Sequence, residues 1–124
     1  MSTNVASPPS AYRQSAVLTA SPSRLVVMLY DGARRFLHQA SVALRDGDIE
    51  AAHAKLRRAE AIINHLRDTL DLDQGEVAAR LQAIYLFCNR QLNEARIKRD
   101  AEKIEQVRTL LGDLREAWAA IATE

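Results

Sequence analysis

From residue 23 onward the sequence contains no proline, and its apolar residues recur alternately three and four positions apart. Because proline breaks helices and this spacing follows one face of a helix, the pattern predicts long α-helices. The apolar seams of three helices are Ile49, Ala52, Leu56, Ala59, Ile63, Leu66 and Leu70; Ala78, Leu81, Tyr85, Cys88, Leu92 and Ala95; and Ile104, Val107, Leu111, Leu114, Trp118 and Ile121. Such seams suit nearly antiparallel helices that cross at a shallow angle.

Residues that start or stop helices mark the ends of the predicted elements. Ser21 is expected to cap the first helix, and Pro22 suits the first helical position because that position needs no backbone N–H. Further caps and stops are expected at Gly47, Asp48, Gly75 and Asp100. We therefore predict helices over residues 22–46, 48–72, 75–98 and 100–122.

The connections between these helices are short and force neighbours to run antiparallel. The sequence therefore predicts an all-α, up-down-up-down four-helix bundle. We expect residues 17–124 to form this single domain. Residues 1–16 are rich in serine, proline, alanine and asparagine and lack the apolar density of a core, so we expect a flexible, mobile N-terminal segment.

Composition limits the classes of function. The chain has 17 basic and 16 acidic residues and a net charge of +1, and the two signs alternate along it. This balance argues against nucleic acid or an anionic membrane as a partner. Charges interrupt every apolar stretch before the ~18 residues of a membrane-spanning helix, and the N-terminus does not resemble a secretory signal. We expect a cytoplasmic protein without membrane insertion.

Few residues suggest catalysis. Glu50 and His53 form a Glu-x-x-His pair, but helical di-iron sites use two such pairs and the sequence has one. Cys88 lies on an apolar seam, where a thiol behaves as a small apolar side chain. Basic pairs occur at Arg34-Arg35, Arg57-Arg58 and Lys98-Arg99. We expect them on solvated faces and predict no metal, no cofactor and no enzyme activity; a small all-helical mutase, which holds a dianionic substrate with arginines, is the alternative from the enzyme class.

Two runs are more apolar than a bundle seam requires. Residues 25–30 read Leu-Val-Val-Met-Leu-Tyr, and residues 84–88 read Ile-Tyr-Leu-Phe-Cys. This surface is covered by neighbouring helices and the N-terminal segment, or it forms a groove for another protein's amphipathic helix, or it is a homodimer interface. The groove candidates are Leu25, Met28, Leu29, Tyr30, Tyr85, Leu86 and Phe87. Val17 and Leu18 are candidates for a cap over the same groove.

Several stretches of this sequence match a known family in order and spacing. They are Tyr12 followed by Val17, LTASP at residues 18–22, LVVMLYDGA at 25–33, NRQL with the following Glu94 and Ala95, and LLGDLREAW at 110–118. Together they resemble the flagellin export chaperone family, FliS. The resemblance covers nearly the whole chain after residue 11.

This resemblance implies a cytoplasmic chaperone for flagellar type III protein export. Such a chaperone holds the C-terminal helical segment of flagellin, blocks premature polymerisation and presents flagellin to the membrane export gate without ATP. The implied partners are the C-terminal helices of flagellin, the cytoplasmic domain of the export gate and other flagellar regulators. By the same resemblance, Tyr12 contacts the gate, and Val17 and Leu18 belong to a displaceable cap.

Overall fold

The computed structural model describes residues 20–122, which form four α-helices. In chain order these are α1 (Pro22–Arg45), α2 (Ile49–Asp68), α3 (Glu76–Lys98) and α4 (Ala101–Ala122), and a short 3₁₀ helix (Leu72–Gln74) lies between α2 and α3. The predicted all-α four-helix bundle is confirmed. The N-terminal segment predicted for residues 1–16 lies outside the described residues.

Three helices begin at the predicted N-caps. Ser21 Oγ accepts a hydrogen bond from Arg24 N at 3.3 Å, and Asp48 Oδ1 accepts one from Ala51 N at 3.1 Å. Asp100 Oδ1 accepts from two backbone N–H groups in the first turn of α4, at 3.0 and 3.3 Å. Each side chain satisfies donors that the start of a helix leaves without an intrahelical partner.

The second helix ends earlier than predicted, at Asp68 instead of residue 72. The hydroxyl of Thr69 donates to a backbone carbonyl of the last turn at 3.1 Å. Asp71 Oδ1 then accepts from Asp73 N at 3.1 Å and starts the 3₁₀ helix. Gly75, expected to stop the second helix, instead lies directly before α3 with a φ of 93°, a conformation that favours glycine.

Polar contacts between helices show that neighbours run antiparallel. Asp31 on α1 pairs with Arg115 on α4, and further along α1 the Ser41 hydroxyl donates to Glu105 at 2.6 Å. The contacts between α2 and α3 follow the same antiparallel order, in the pairs Glu60–Arg96 and Asn64–Asn89. Because α1 and α3 each pack against both α2 and α4, they lie diagonally across the bundle.

The predicted seams form most of the core. Their buried members are Ala52, Leu56, Ala59, Ile63, Leu66, Ala78, Tyr85, Cys88, Leu92, Ala95, Ile104, Val107 and Leu111. Leu70, Leu81, Leu114 and Trp118 are partly buried and pack against this core. The seam prediction is wrong for Ile121, which is exposed.

Helix α1 approaches its neighbours closely because small residues occupy its contact positions. Gly32, Ala33, Ala40 and Ser41 are all buried there. A Cβ atom added to Gly32 would lie 3.4 Å from the Cδ1 atom of Ile62 on α2, which is ordinary van der Waals contact. The packing between α1 and α2 is therefore close without being overfilled.

Membrane insertion can be considered helix by helix. Within residues 20–122, none of the helices combines the length and the apolar character needed to cross a membrane.

Candidate partner-binding surface

Tyr30 and Tyr85, both candidates for lining a groove, lie at the centre of the bundle, where the predicted seam of α3 also places Tyr85. Both side chains are buried, and their hydroxyl oxygens are 2.5 Å apart, at hydrogen-bond distance. These long side chains meet across the diagonal between α1 and α3. The structure therefore corrects the prediction for these two residues: paired hydroxyls let them fill the core, and neither offers surface to a partner.

The surroundings of the two tyrosines keep both hydroxyls neutral. Burial raises the pKa of Tyr85, and its hydrogen bond with Tyr30 raises it further. Burial also raises the pKa of Tyr30, while hydrogen bonding with Tyr85 and Trp118 offsets part of that rise. A neutral pair can share one hydrogen bond in the core without the cost of a buried charge.

The other predicted residues of α1 are half-buried. Leu25, Met28 and Leu29 each retain some accessible surface, but none is among the exposed large apolar residues. Leu29 packs directly against the core cluster. The apolar run at residues 25–30 is thus mostly explained by packing against two neighbouring helices, and α1 offers a partner only a partial apolar surface.

The other two predicted residues of α3 are exposed. Leu86 retains 39% and Phe87 43% of its accessible surface. Ile97 is 72% exposed, and Ala79 and Ala83 are exposed as well. We call this set, together with the intervening Arg90, the outer stripe: Ala79, Ala83, Leu86, Phe87, Arg90 and Ile97.

The spacing of the outer stripe places its members on one side of α3. Ala83 follows Ala79 by four residues, and Leu86 follows Ala83 by three, the separations that align side chains on a helix. The opposite side of α3 carries the buried seam. Consequently α3 is apolar on two sides and is the least amphipathic of the four helices. Ala79, Ala83 and Ile97 are not among the residues predicted from the sequence, although counting by threes and fours from Leu86 finds them.

The predicted groove residues do not form one continuous groove. Because α1 and α3 are diagonal, the partial surface of Leu25 and Met28 and the outer stripe lie on opposite sides of the bundle. The predicted cap residues Tyr12, Val17 and Leu18 lie outside the described residues. The outer stripe is therefore the extended apolar surface among the predicted candidates.

Possible catalytic groups sit in unfavourable surroundings. Burial raises the pKa of Cys88 to about 11, so its thiol stays protonated at neutral pH and is a poor nucleophile. Glu50 is exposed and His53 half-buried. Between residues 20 and 122, no group of three or more His, Cys, Asp or Glu side chains is arranged to hold a metal ion.

Several basic side chains are engaged by the protein itself. Arg34 Nε donates to the carbonyl oxygen of Arg108 at 3.2 Å. Lys55 Nζ and Arg58 Cζ lie 5.6 and 5.7 Å from the centre of the Phe36 ring, within the range of cation–π contacts. These contacts use the basic pairs to cover helix surfaces, which agrees with a structural role for Arg34 and Arg58.

Comparison with known proteins gives one family for nearly the whole chain. The profile of the family described as Flagellar protein FliS matches residues 5–124. The Flagellar secretion chaperone FliS of Salmonella typhimurium is 41% identical over 111 residues, covering 88% of this chain and 82% of that protein. The protein of the same name from Bacillus subtilis is 35% identical over 114 residues, covering 92% of this chain and 85% of that one.

A solved structure adds agreement at the level of the fold. It is described as "Crystal structure of flagellar chaperone from bacteria" and superimposes with a TM-score of 0.76, covering 94% of this chain and 99% of that chain at 17% identity. The family profile and the identities of 41% and 35% to its curated members establish more than a shared bundle. The chain belongs to the FliS family of flagellar secretion chaperones.

Proposed function

We propose that this chain is a cytoplasmic, non-enzymatic chaperone that binds the C-terminal helical segment of flagellin along the outer stripe. Binding blocks premature polymerisation, and the complex presents flagellin to the cytoplasmic domain of the type III export gate. Membership of the FliS family supports the flagellar role. The observation that carries the proposed site is that α3 is apolar on its outer side as well as on its buried side.

The dimensions of the outer stripe suit a helical partner. From Ala79 to Ile97 it spans roughly 27 Å of helix axis, or about five turns. An amphipathic helix of similar length can lay its own apolar side along it. A segment that is disordered when free loses conformational entropy when it binds. Burial of its apolar side on α3 supplies the free energy that offsets this loss.

This mechanism needs no cofactor and no covalent step. Apolar burial sequesters the segment through which flagellin would otherwise associate with itself. In the same proposal Tyr12 contacts the export gate, Val17 and Leu18 form a cap that flagellin displaces, and other flagellar regulators compete for the surface. In this proposal residues 1–16 serve handover, and residues 17–124 form the chaperone domain.

Calorimetry with a flagellin C-terminal segment tests the site through two matched variants. Phe87 and Val42 are each 43% exposed, but Phe87 lies on the outer stripe of α3 and Val42 on α1. Phe87→Asp should weaken binding at least about tenfold, because it places a charge inside an apolar contact. Val42→Asp should bind like the unsubstituted chain, whose binding should show a negative heat-capacity change.

The same variants also test the alternatives. If both variants lose binding equally, or if neither variant loses binding, flagellin binds away from the outer stripe. Sedimentation of the chain without flagellin checks self-association: a dimer that Phe87→Asp converts to a monomer would assign the stripe to a homodimer interface instead. The mutase alternative is a small all-helical chorismate mutase, so turnover of chorismate by the purified chain would support it.

A further inference from the structure

Arg90 is the charged residue of the outer stripe. It follows Leu86 by four residues and Phe87 by three, and it precedes Ile97 by seven, so all four lie on one side of α3. The Arg90 side chain is exposed. It makes no hydrogen bond, ion pair or ring contact with any residue from 20 to 122.

The carboxylate best placed to neutralise Arg90 is engaged elsewhere. Glu94 lies four residues further along α3, a separation at which opposite charges pair on a helix. However, Glu94 Oε1 lies 3.2 Å from Lys103 Nζ and 3.4 Å from Lys98 Nζ. Hydrogen bonding to Lys103 and then to Lys98 lowers the pKa of Glu94, so its carboxylate stays charged and oriented towards these lysines.

The uncharged polar neighbours of Arg90 are also engaged. Asn93 accepts from Arg96 at 3.3 Å, Gln91 accepts from Lys103 at 3.3 Å, and Asn89 donates to Asn64 at 2.8 Å. Each of these contacts draws a polar side chain away from the outer stripe. The Arg90 guanidinium therefore stays available between Leu86 and Phe87 on one side and Ile97 on the other, with the engaged Asn93 and Glu94 beside it on the same side of α3.

We propose that the helix bound by the outer stripe carries a carboxylate that pairs with Arg90, between apolar residues that cover Leu86, Phe87 and Ile97. This inference rests on the proposed function, since it specifies the chemistry of the segment bound there. A docked apolar helix would remove water from the guanidinium, and a buried charge without a partner opposes binding. A carboxylate can accept two parallel N–H···O bonds from arginine, which restores those contacts.

Such a pair also provides specificity. Apolar contact alone lets a helix slide along or rotate on the stripe, whereas the pair fixes its position along α3. An apolar helix without an acidic residue would leave Arg90 desolvated and unpaired, so it would be rejected. The arginine thereby reduces binding of unrelated hydrophobic segments.

The effect of Arg90→Leu on affinity should have opposite signs, depending on whether Arg90 pairs with a carboxylate of the bound helix. If the partner supplies a carboxylate, the leucine leaves that carboxylate buried and unpaired, and the affinity for the flagellin C-terminal segment should fall about tenfold. If the guanidinium is only an obstacle within an apolar contact, the same variant should bind more tightly. Unchanged or tighter binding of Arg90→Leu overturns the inference.

A charge-reversal series separates local pairing from overall charge. Arg90→Glu and Arg57→Glu change the net charge equally, but Arg57 lies exposed on α2 and is not part of the stripe on α3. Arg90→Glu should weaken binding by more than about tenfold, and Arg57→Glu by less than about twofold. Replacing the acidic residues of the flagellin segment one at a time with lysine should identify one change that restores binding to Arg90→Glu. If no single change restores binding, the inference that a carboxylate pairs with Arg90 is overturned, and backbone carbonyls are then the groups that contact Arg90.

The outcome distinguishes this inference from the proposed function. If the unsubstituted chain binds the segment, Phe87→Asp loses binding and the Arg90 variants bind normally, the proposed site stands and the inference fails. If the unsubstituted chain does not bind the segment, the proposed function fails and the inference fails with it. Thermal unfolding followed by circular dichroism should give the same midpoint for all Arg90 variants, because the exposed side chain makes no contact that the fold needs.

Discussion

Helices α1 and α3 occupy equivalent diagonal positions in the bundle but divide their apolar residues differently. Helix α1 places small and large apolar residues on one side, where Ala33, Leu37 and Ala40 are buried, and it packs closely between α2 and α4. Helix α3 has a similar buried seam and, in addition, Leu86, Phe87 and Ile97 on its outer side.

The contacts that hold the two helices also differ. Small residues bring α1 close to its neighbours, in addition to its polar pairs with α4. Helix α3 packs less extensively on both neighbours, and polar pairs such as Glu60–Arg96 and Asn64–Asn89 join it to α2. At that junction Arg96 pairs with Glu60 and Asn89 donates to Asn64, while the buried Asn89 Oδ1 has no partner among residues 20–122. None of these contacts uses the outer apolar residues of α3. When a helix has one apolar side, packing within the bundle covers that side. When a helix has two apolar sides, one of them stays exposed and can bind another molecule.

Truncating one leucine on each helix tests this difference most strongly. Leu37→Ala removes a fully buried side chain of α1 and should lower the free energy of unfolding by about 2–5 kcal/mol, because a cavity remains. Leu86→Ala removes a partly exposed side chain of the outer stripe and should change it by less than about 1 kcal/mol. Urea unfolding of both variants measures the two values. Comparable losses would show that the outer stripe serves the fold, and the contrast between the helices would not hold.

Breaking the polar contact between α2 and α3 is a second test, and its expected effect on stability is smaller. Arg96→Met leaves Glu60 without its ion-pair partner at a largely buried position between α2 and α3, and should lower the free energy of unfolding by about 1–3 kcal/mol.

The matched control is Arg80→Met, which removes an exposed ion pair with Glu76 within α3 and should cost less than about 0.5 kcal/mol. Hydrogen exchange should also show faster exchange along α3 in Arg96→Met than in Arg80→Met. Equal effects of the two substitutions would mean that apolar packing alone attaches α3.

The architecture was predictable from the sequence because local signals and apolar spacing agreed. Ser21, Asp48 and Asp100 cap helices as predicted, and the three seams supply most of the buried residues. The end of α2 was less predictable, because the Thr69 and Asp71 side chains redirect the backbone into a 3₁₀ turn before Gly75. Apolar spacing carries no signal for such a local hydrogen-bonding change.

The candidate site was only partly predictable. An apolar run shows that a helix has more apolar surface than one seam needs, but it does not show which residues face the core. The sequence makes Tyr30 and Tyr85 groove candidates, although Tyr85 also lies on the α3 seam, because it does not show that each completes the other's hydrogen bond across the bundle. Such a diagonal pairing depends on the tertiary arrangement of α1 and α3, whereas Leu86 and Phe87 lie where helical spacing alone places them.

The tyrosine pair is the direct polar link between α1 and α3, and its removal is expected to have the smallest of these effects. Tyr30→Phe leaves the buried hydroxyl of Tyr85 without its partner and should lower the free energy of unfolding by about 1–2 kcal/mol. Tyr85→Phe should cost a similar amount, because it leaves the buried hydroxyl of Tyr30 without the same partner. The double variant should be no less stable than Tyr30→Phe, since both polar groups are then gone and the rings still fill the core. Urea unfolding of the three variants gives the coupling between the two hydroxyls. Additive losses would show that each hydroxyl is satisfied independently, and the diagonal helices would then be joined by ring packing alone.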